Sequence, residues 1–274
     1  MKIIRVFPQK TNATPEDENV RINKTPTLFD EADEVHISVA FTWDIPRAEF
    51  LFNQWSKASF NTKIGGPAFN EKGGDFVSGM YLKKGYVITS RGCKNKCWFC
   101  SVPEREGYEL RELPIVKGWN ILDDNFLACS IEHKKAVFEM LSRQPERPQF
   151  TGGLEAKILT RQDAEMLFEI KPKTMFFAYD RPQEYDALIS AGKILRSVGF
   201  KKENHQARCY VLIGYKGDTF EKAEKRLRDA WSAGFFPMAM LYRGFKGEYS
   251  REWKRFQREW ANHFIVATKL KEVI

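Results

Sequence analysis

The sequence predicts an α/β protein. A small N-terminal α/β region is expected over residues 1–80, and a series of β/α units ending in a helix over 81–274. Three observations carry this. From Tyr86 onward six short apolar runs, "YVITS", "NILDDN", "PQFTG", "TMFFAY", "ARCYVLI" and "FPMAMLY", alternate with longer amphipathic stretches, as parallel strands joined by helices do. Helix ends are legible between those runs. The opening region itself reads strand, helix, strand, with a Gly-Gly turn.

In chain order, "IIRVF" is the first strand and the polar, Pro-bearing "PQKTNATPEDENVRINKTP" reads as a loop. "VHISVAF", a helix over "PRAEFLFNQWSK" and "TKIGGPAF" then form a βαβ-like unit, and "NEKGGDFVSG" looks like a linker. Farther on, "GDTFEKAEKRLRDAWSAG" places Asp218 three residues before Glu221, a capping-box spacing, and ends at Gly234. Phe220, Ala223, Leu227 and Trp231 fall on one face of that helix, as covering a sheet requires. The last helix, "SREWKRFQREWANHF", sets Trp253, Phe256, Trp260 and Phe264 on one face, which reads as core, with its basic residues largely elsewhere.

Hydrophobic residues make up 43% of the chain, enough for a sizeable core and too many for a disordered segment. No apolar run approaches the roughly 18 residues that span a bilayer, and "MKIIRVFPQK" has no signal-peptide pattern. The expectation is a cytoplasmic protein with no membrane partner. Forty-four Lys and Arg against thirty-six Asp and Glu leave a charge of +8, compatible with a nucleic acid or another anionic substrate, or with solubility alone.

Three of the five cysteines, Cys93, Cys97 and Cys100, stand as C-x3-C-x2-C directly after a predicted strand. Strand carboxyl ends are where α/β barrels place their chemistry. Three thiolates suit a [4Fe-4S] cubane with one iron left open to a ligand from outside the protein. A zinc site completed by Cys129, Cys209 or a histidine is the structural alternative, although zinc knuckles usually come as paired C-x2-C steps. A non-catalytic iron–sulfur or zinc protein acting as a sensor is the corresponding functional alternative.

"CKNKCWFC", with Phe99 as the aromatic before the last cysteine, resembles the signature of the radical S-adenosylmethionine superfamily, and the resemblance extends over about residues 84–245. It implies a partial (β/α)6 barrel, one [4Fe-4S] cluster on Cys93, Cys97 and Cys100, and S-adenosylmethionine chelated to the open iron. Reductive cleavage of that cofactor would give a 5′-deoxyadenosyl radical that takes hydrogen from substrate. A reductant such as flavodoxin or ferredoxin would supply the electron.

Other strand ends fit the resemblance. "FTGGLE" is similar to the family's Gly-Gly-Glu motif with Leu154 inserted, which implies that Gly152, Gly153 and Glu155 meet the methionine amino group. Asp180 in "FFAYD", Gly214 in "VLIGY" and Tyr242 in "MLYRG" fall where the family contacts the rest of the cofactor. Asp124 and Asn125 in "ILDDNF", with Tyr179 and Arg243, are substrate candidates. The acidic-amide segment and "TKIGGPAF" also resemble radical enzymes whose barrel follows a cobalamin-binding domain. The N-terminal part is then a Rossmann-like remnant. It lacks the Asp-x-His-x-x-Gly motif, His36 being its only histidine, so no cobalamin is expected.

Overall fold

The computed structural model describes residues 1–271. The chain divides into two compact units, Met1–Gly118 and Trp119–Ile274.

The first unit opens with a parallel sheet of β1 (Ile3–Phe7), β2 (Val20–Ile22), β3 (Glu34–Ser38) and β4 (Thr62–Gly65), in the order β2-β1-β3-β4. β2 lies inside the stretch expected to be loop, where Arg5, Val6 and Phe7 pair with Val20, Arg21 and Ile22. Three residues carry too little periodicity to announce a strand. α1 (Ile45–Lys57) links β3 to β4 and starts with Pro46 in its first turn, where the missing N–H costs nothing. Its Ala48, Leu51 and Trp55 pack on Ile4, Val6, Val35 and Ile37 to form one buried cluster. The rest of the unit is mostly irregular, with β5 (Tyr86–Val87), β6 (Ser90–Arg91), α2 (Val102–Glu106) and β7 (Arg111–Glu112). β6 and β7 pair antiparallel and clasp the cysteine loop between them.

The second unit repeats strand and helix: β8 (Asn120–Ile121), α3 (Ile131–Ser142), β9 (Gln149–Leu154), α4 (Arg161–Glu169), β10 (Thr174–Ala178), α5 (Tyr185–Ser197), β11 (Ala207–Ile213), α6 (Phe220–Ser232) and β12 (Phe236–Leu241). These five strands are parallel neighbours in chain order. Sequential order is what right-handed β/α connections give when each strand joins the same edge. Inward-facing Leu188, Ala191 and Leu195 of α5 and Ala223, Leu227 and Ala230 of α6 are buried against the sheet.

Two helix expectations are corrected. α6 is capped by Thr219, whose hydroxyl accepts the Lys222 N–H at 3.3 Å, one residue beyond the expected Asp218. Asp218 is turned inward, where it accepts the Gly214 N–H at 2.9 Å and pairs with Arg226 at 2.8 Å. The last helix is two: α7 (Arg251–Ala261) and α8 (His263–Lys271), separated at Asn262, whose backbone is extended. Trp260 is fully buried and Trp253 stacks on Phe220 at 4.4 Å, as a core stripe should, but the break leaves Phe264 82% exposed.

Candidate active site

Cys93, Cys97 and Cys100 lie half-buried in the loop between β6 and α2, none of them in a disulfide. Local hydrogen bonds shape this loop. The Cys100 N–H reaches the Cys97 carbonyl at 3.0 Å, and the Cys93 N–H reaches the Gly107 carbonyl at 3.4 Å. Phe99 is half-buried with Trp98 edge-on to it at 5.5 Å, and Trp98 is 58% exposed. A cubane takes one thiolate on each of three separate irons, so thiols spread along one irregular loop fit it. Among the described residues no three His, Cys, Asp or Glu side chains are gathered to hold a single ion.

Behind the loop stands a residue that sequence reading passed over. Glu106, at the end of α2, has a side chain only 1% exposed and meets three guanidinium groups. Arg105 reaches it at 3.0 Å and Arg111 at 2.8 Å, with Arg91 at 3.9 Å. Its two oxygens also accept the Gly73 N–H, each at 3.2 Å. Arg91 and Arg111 are the paired residues of the β6–β7 clasp, so one carboxylate ties both edges of the loop. No periodicity or spacing signals such a partner set.

In the second unit the remaining candidates gather at one end of the sheet, the carboxyl ends of β8 to β12. β9 pairs Phe150 with Met175 and then Leu154 with Phe177, so Thr151, Gly152 and Gly153 bulge opposite Phe176. That bulge accommodates the extra Leu154, which is 2% exposed in the core, and turns the half-buried Glu155 the other way. Both glycines are required. A Cβ on Gly152 would sit 2.3 Å from the Asp123 carbonyl oxygen, and Gly153 has φ +99°. Glu155 accepts a hydrogen bond from the buried Asn125 amide at 2.6 Å. Asn125 and Glu155 were separate candidates in the sequence, and the adjacency of β8 and β9 makes them a pair. Asp124 is half-buried beside them in the same loop.

Asp180 follows β10 and accepts the Leu212 N–H of β11 at 2.8 Å. Burial pushes its carboxyl up to about 6, against the relief that this hydrogen bond gives. Gly214 turns the chain after β11 with φ +75°. The Tyr242 N–H continues the β11–β12 ladder to the Ile213 carbonyl at 2.9 Å. Arg243 lies over the Tyr249 ring at 4.9 Å. Tyr179 is placed elsewhere. It is 1% exposed and donates its hydroxyl to Asp229 of α6 at 3.3 Å, and burial with that carboxylate raises its phenol above the usual range. Strand alternation sends Tyr179 to the helix layer, away from the face a substrate would use.

This fold is similar to that of a solved radical S-adenosylmethionine enzyme. A radical S-adenosylmethionine methyltransferase, TsrM from Kitasatospora setae, solved with its tryptophan substrate and the cofactor analogue aza-SAM, superposes with a TM-score of 0.62 at 11% identity. The match covers 88% of this chain and 73% of that one. The same enzyme with cobalamin and a [4Fe-4S] cluster gives a TM-score of 0.62 at 12% identity, over 87% of this chain and 74% of that one. At such identity the likeness is one of fold. No family model and no curated protein matches the chain. Among the described residues no helix is long and apolar enough to cross a membrane.

Proposed function

We propose that the chain is a radical S-adenosylmethionine enzyme with the family's partial (β/α)6 barrel, a single [4Fe-4S] cluster and no cobalamin. The observation that carries this is C-x3-C-x2-C as three half-buried cysteines outside any disulfide, in a chain whose fold is similar to that of a radical S-adenosylmethionine methyltransferase. Cys93, Cys97 and Cys100 would hold the cluster. A bound cluster would supply the electron for reductive cleavage of the cofactor's sulfonium C–S bond, and with it hydrogen-abstraction chemistry on substrate.

The chain's own residues do the positioning. Glu155, oriented by Asn125, offers a carboxylate to the methionine ammonium, a charge-assisted contact stronger than a neutral one. Gly152 and Gly153 keep side chains out of that approach. Asp180, Gly214 and Tyr242 would line the rest of the cofactor, with Asp124 and Arg243 turned to substrate. Flavodoxin or ferredoxin is the class of reductant such a cluster uses, and a cytoplasmic setting suits cysteines that form no disulfide.

The test is anaerobic reconstitution with iron and sulfide counted, then dithionite and S-adenosylmethionine, with 5′-deoxyadenosine measured by chromatography. Cluster-dependent product that disappears in Cys97→Ala is the expected result. Bound zinc in place of iron, or an intact cluster that never cleaves the cofactor, would overturn the assignment in favour of a non-catalytic metal-binding protein.

A further inference from the structure

The segment from Arg243 to Arg258, joining β12 to α7, concentrates positive charge. It holds Arg243, Lys246, Arg251, Lys254, Arg255 and Arg258 against Glu248 and Glu252, six cations to two carboxylates, with Arg255 paired at 3.5 Å to Glu259 just beyond it. Both carboxylates are engaged locally. Glu248 accepts the Lys246 N–H at 3.1 Å, and Glu252 sits at the α7 N-terminus, taking its own N–H and the Ser250 side chain. Tyr249, 48% exposed, lies between two of the cations, with Arg243 at 4.9 Å and Lys254 at 6.0 Å from its ring centre. Phe245, on the same loop, is 71% exposed. Burial, and then Arg243 and Arg258, hold the Lys254 ammonium below its usual range.

We infer that this segment is a contact surface for single-stranded nucleic acid, with phosphates on Arg243, Lys254 and Arg258 and bases stacked on Phe245 and Tyr249. Cations that track a backbone and aromatic rings that accept any base are the two parts such surfaces combine. The segment leaves the sheet at the carboxyl end of β12, the end that also carries Glu155, Asp180 and Gly214. A strand bound here would reach the face assigned to chemistry. Single-stranded nucleic acid would then be the substrate class of the proposed enzyme; that step rests on the radical reading, while the contact itself needs no turnover.

The test uses the cluster-reconstituted full chain and fluorescence anisotropy with labelled single-stranded RNA and DNA oligonucleotides, titrated between about 50 and 200 mM salt. Binding should weaken steeply with salt. Arg243→Gln with Lys254→Gln should flatten the log–log slope by about 1.4, because each lost phosphate contact on a single strand removes about 0.7. Phe245→Ala should weaken binding about tenfold without changing the slope. Arg161→Gln, an exposed arginine on α4, should change neither. Absence of binding at low salt, an unaltered slope in the double variant, or equal competition by polyglutamate would overturn the inference. Oligonucleotide binding that fails while 5′-deoxyadenosine still forms removes this inference alone, and the converse removes only the radical assignment.

Discussion

The two units hold their loops by different means. In Met1–Gly118 the cysteine loop runs between two-residue strands, and side-chain charge replaces the missing ladder. Glu106 gathers Arg91, Arg105 and Arg111, and the buried Arg5 holds the Gly79 and Met80 carbonyls at 2.7 and 3.0 Å. In the unit from Trp119 onward, five parallel strands present the loops, and buried pairs such as Lys134–Asp163 and Arg226–Asp218 sit at helix starts and turns. Irregular backbone must satisfy its N–H and C=O groups somewhere, and buried charge fixed by several partners is one way to do so. Such a device is specific in geometry and expensive to break.

That contrast predicts an order of effects. Glu106→Ala should be the most severe change, destabilising by about 3–5 kcal/mol because three partly buried guanidinium groups lose their common carboxylate. Hydrogen exchange should then rise in residues 90–112 and around Gly73, while β9 to β12 stay protected. Uniform exposure of the whole chain would show instead that the two units unfold as one.

Asp180 comes next and acts through pH. Its folded carboxyl titrates near 6, above the ordinary 3.8, so the folded state binds the proton more tightly than the unfolded one. This group therefore lowers stability as pH rises from about 4 through 6, and its cost is complete above that. Asp180→Asn keeps an oxygen for the Leu212 N–H and removes the charge. The variant should gain on the order of 2 kcal/mol at pH 7.5 and nothing at pH 4, measured by urea unfolding at both values. An equal gain at the two pH values would sink the burial argument.

The smallest effect is local to a helix start. Thr160 and Asp163 form a reciprocal capping box on α4, and Asp163 keeps its Lys134 partner if the threonine is lost. Thr160→Ala should cost about 1 kcal/mol. In a chain of this size that is about 2–4 °C of melting temperature, readable by calorimetry. A loss as large as that from Glu106→Ala would erase the distinction between capped and charge-fastened structure.

Much of the second unit was legible in the sequence because its cues are local. Strand runs and apolar helix faces depend on residues within one or two turns. All six predicted strand segments from Tyr86 onward contain a strand. Where a local cue had two readings, the nearer one misled. Asp218 has the spacing of a cap, yet Arg226 and the Gly214 N–H claim its carboxylate, leaving the cap to Thr219.

The sequence by itself determined the alternation of strands and helices and the C-x3-C-x2-C thiol set, since both are written in short-range spacing. Only the tertiary structure decided that Asn125 orients Glu155, that Leu154 is absorbed by a bulge, that Tyr179 faces the helices and that Glu106 fastens the cysteine loop. Each of those outcomes joins residues far apart in the chain, or depends on strand register, and register is set by packing across a whole sheet rather than by any one segment.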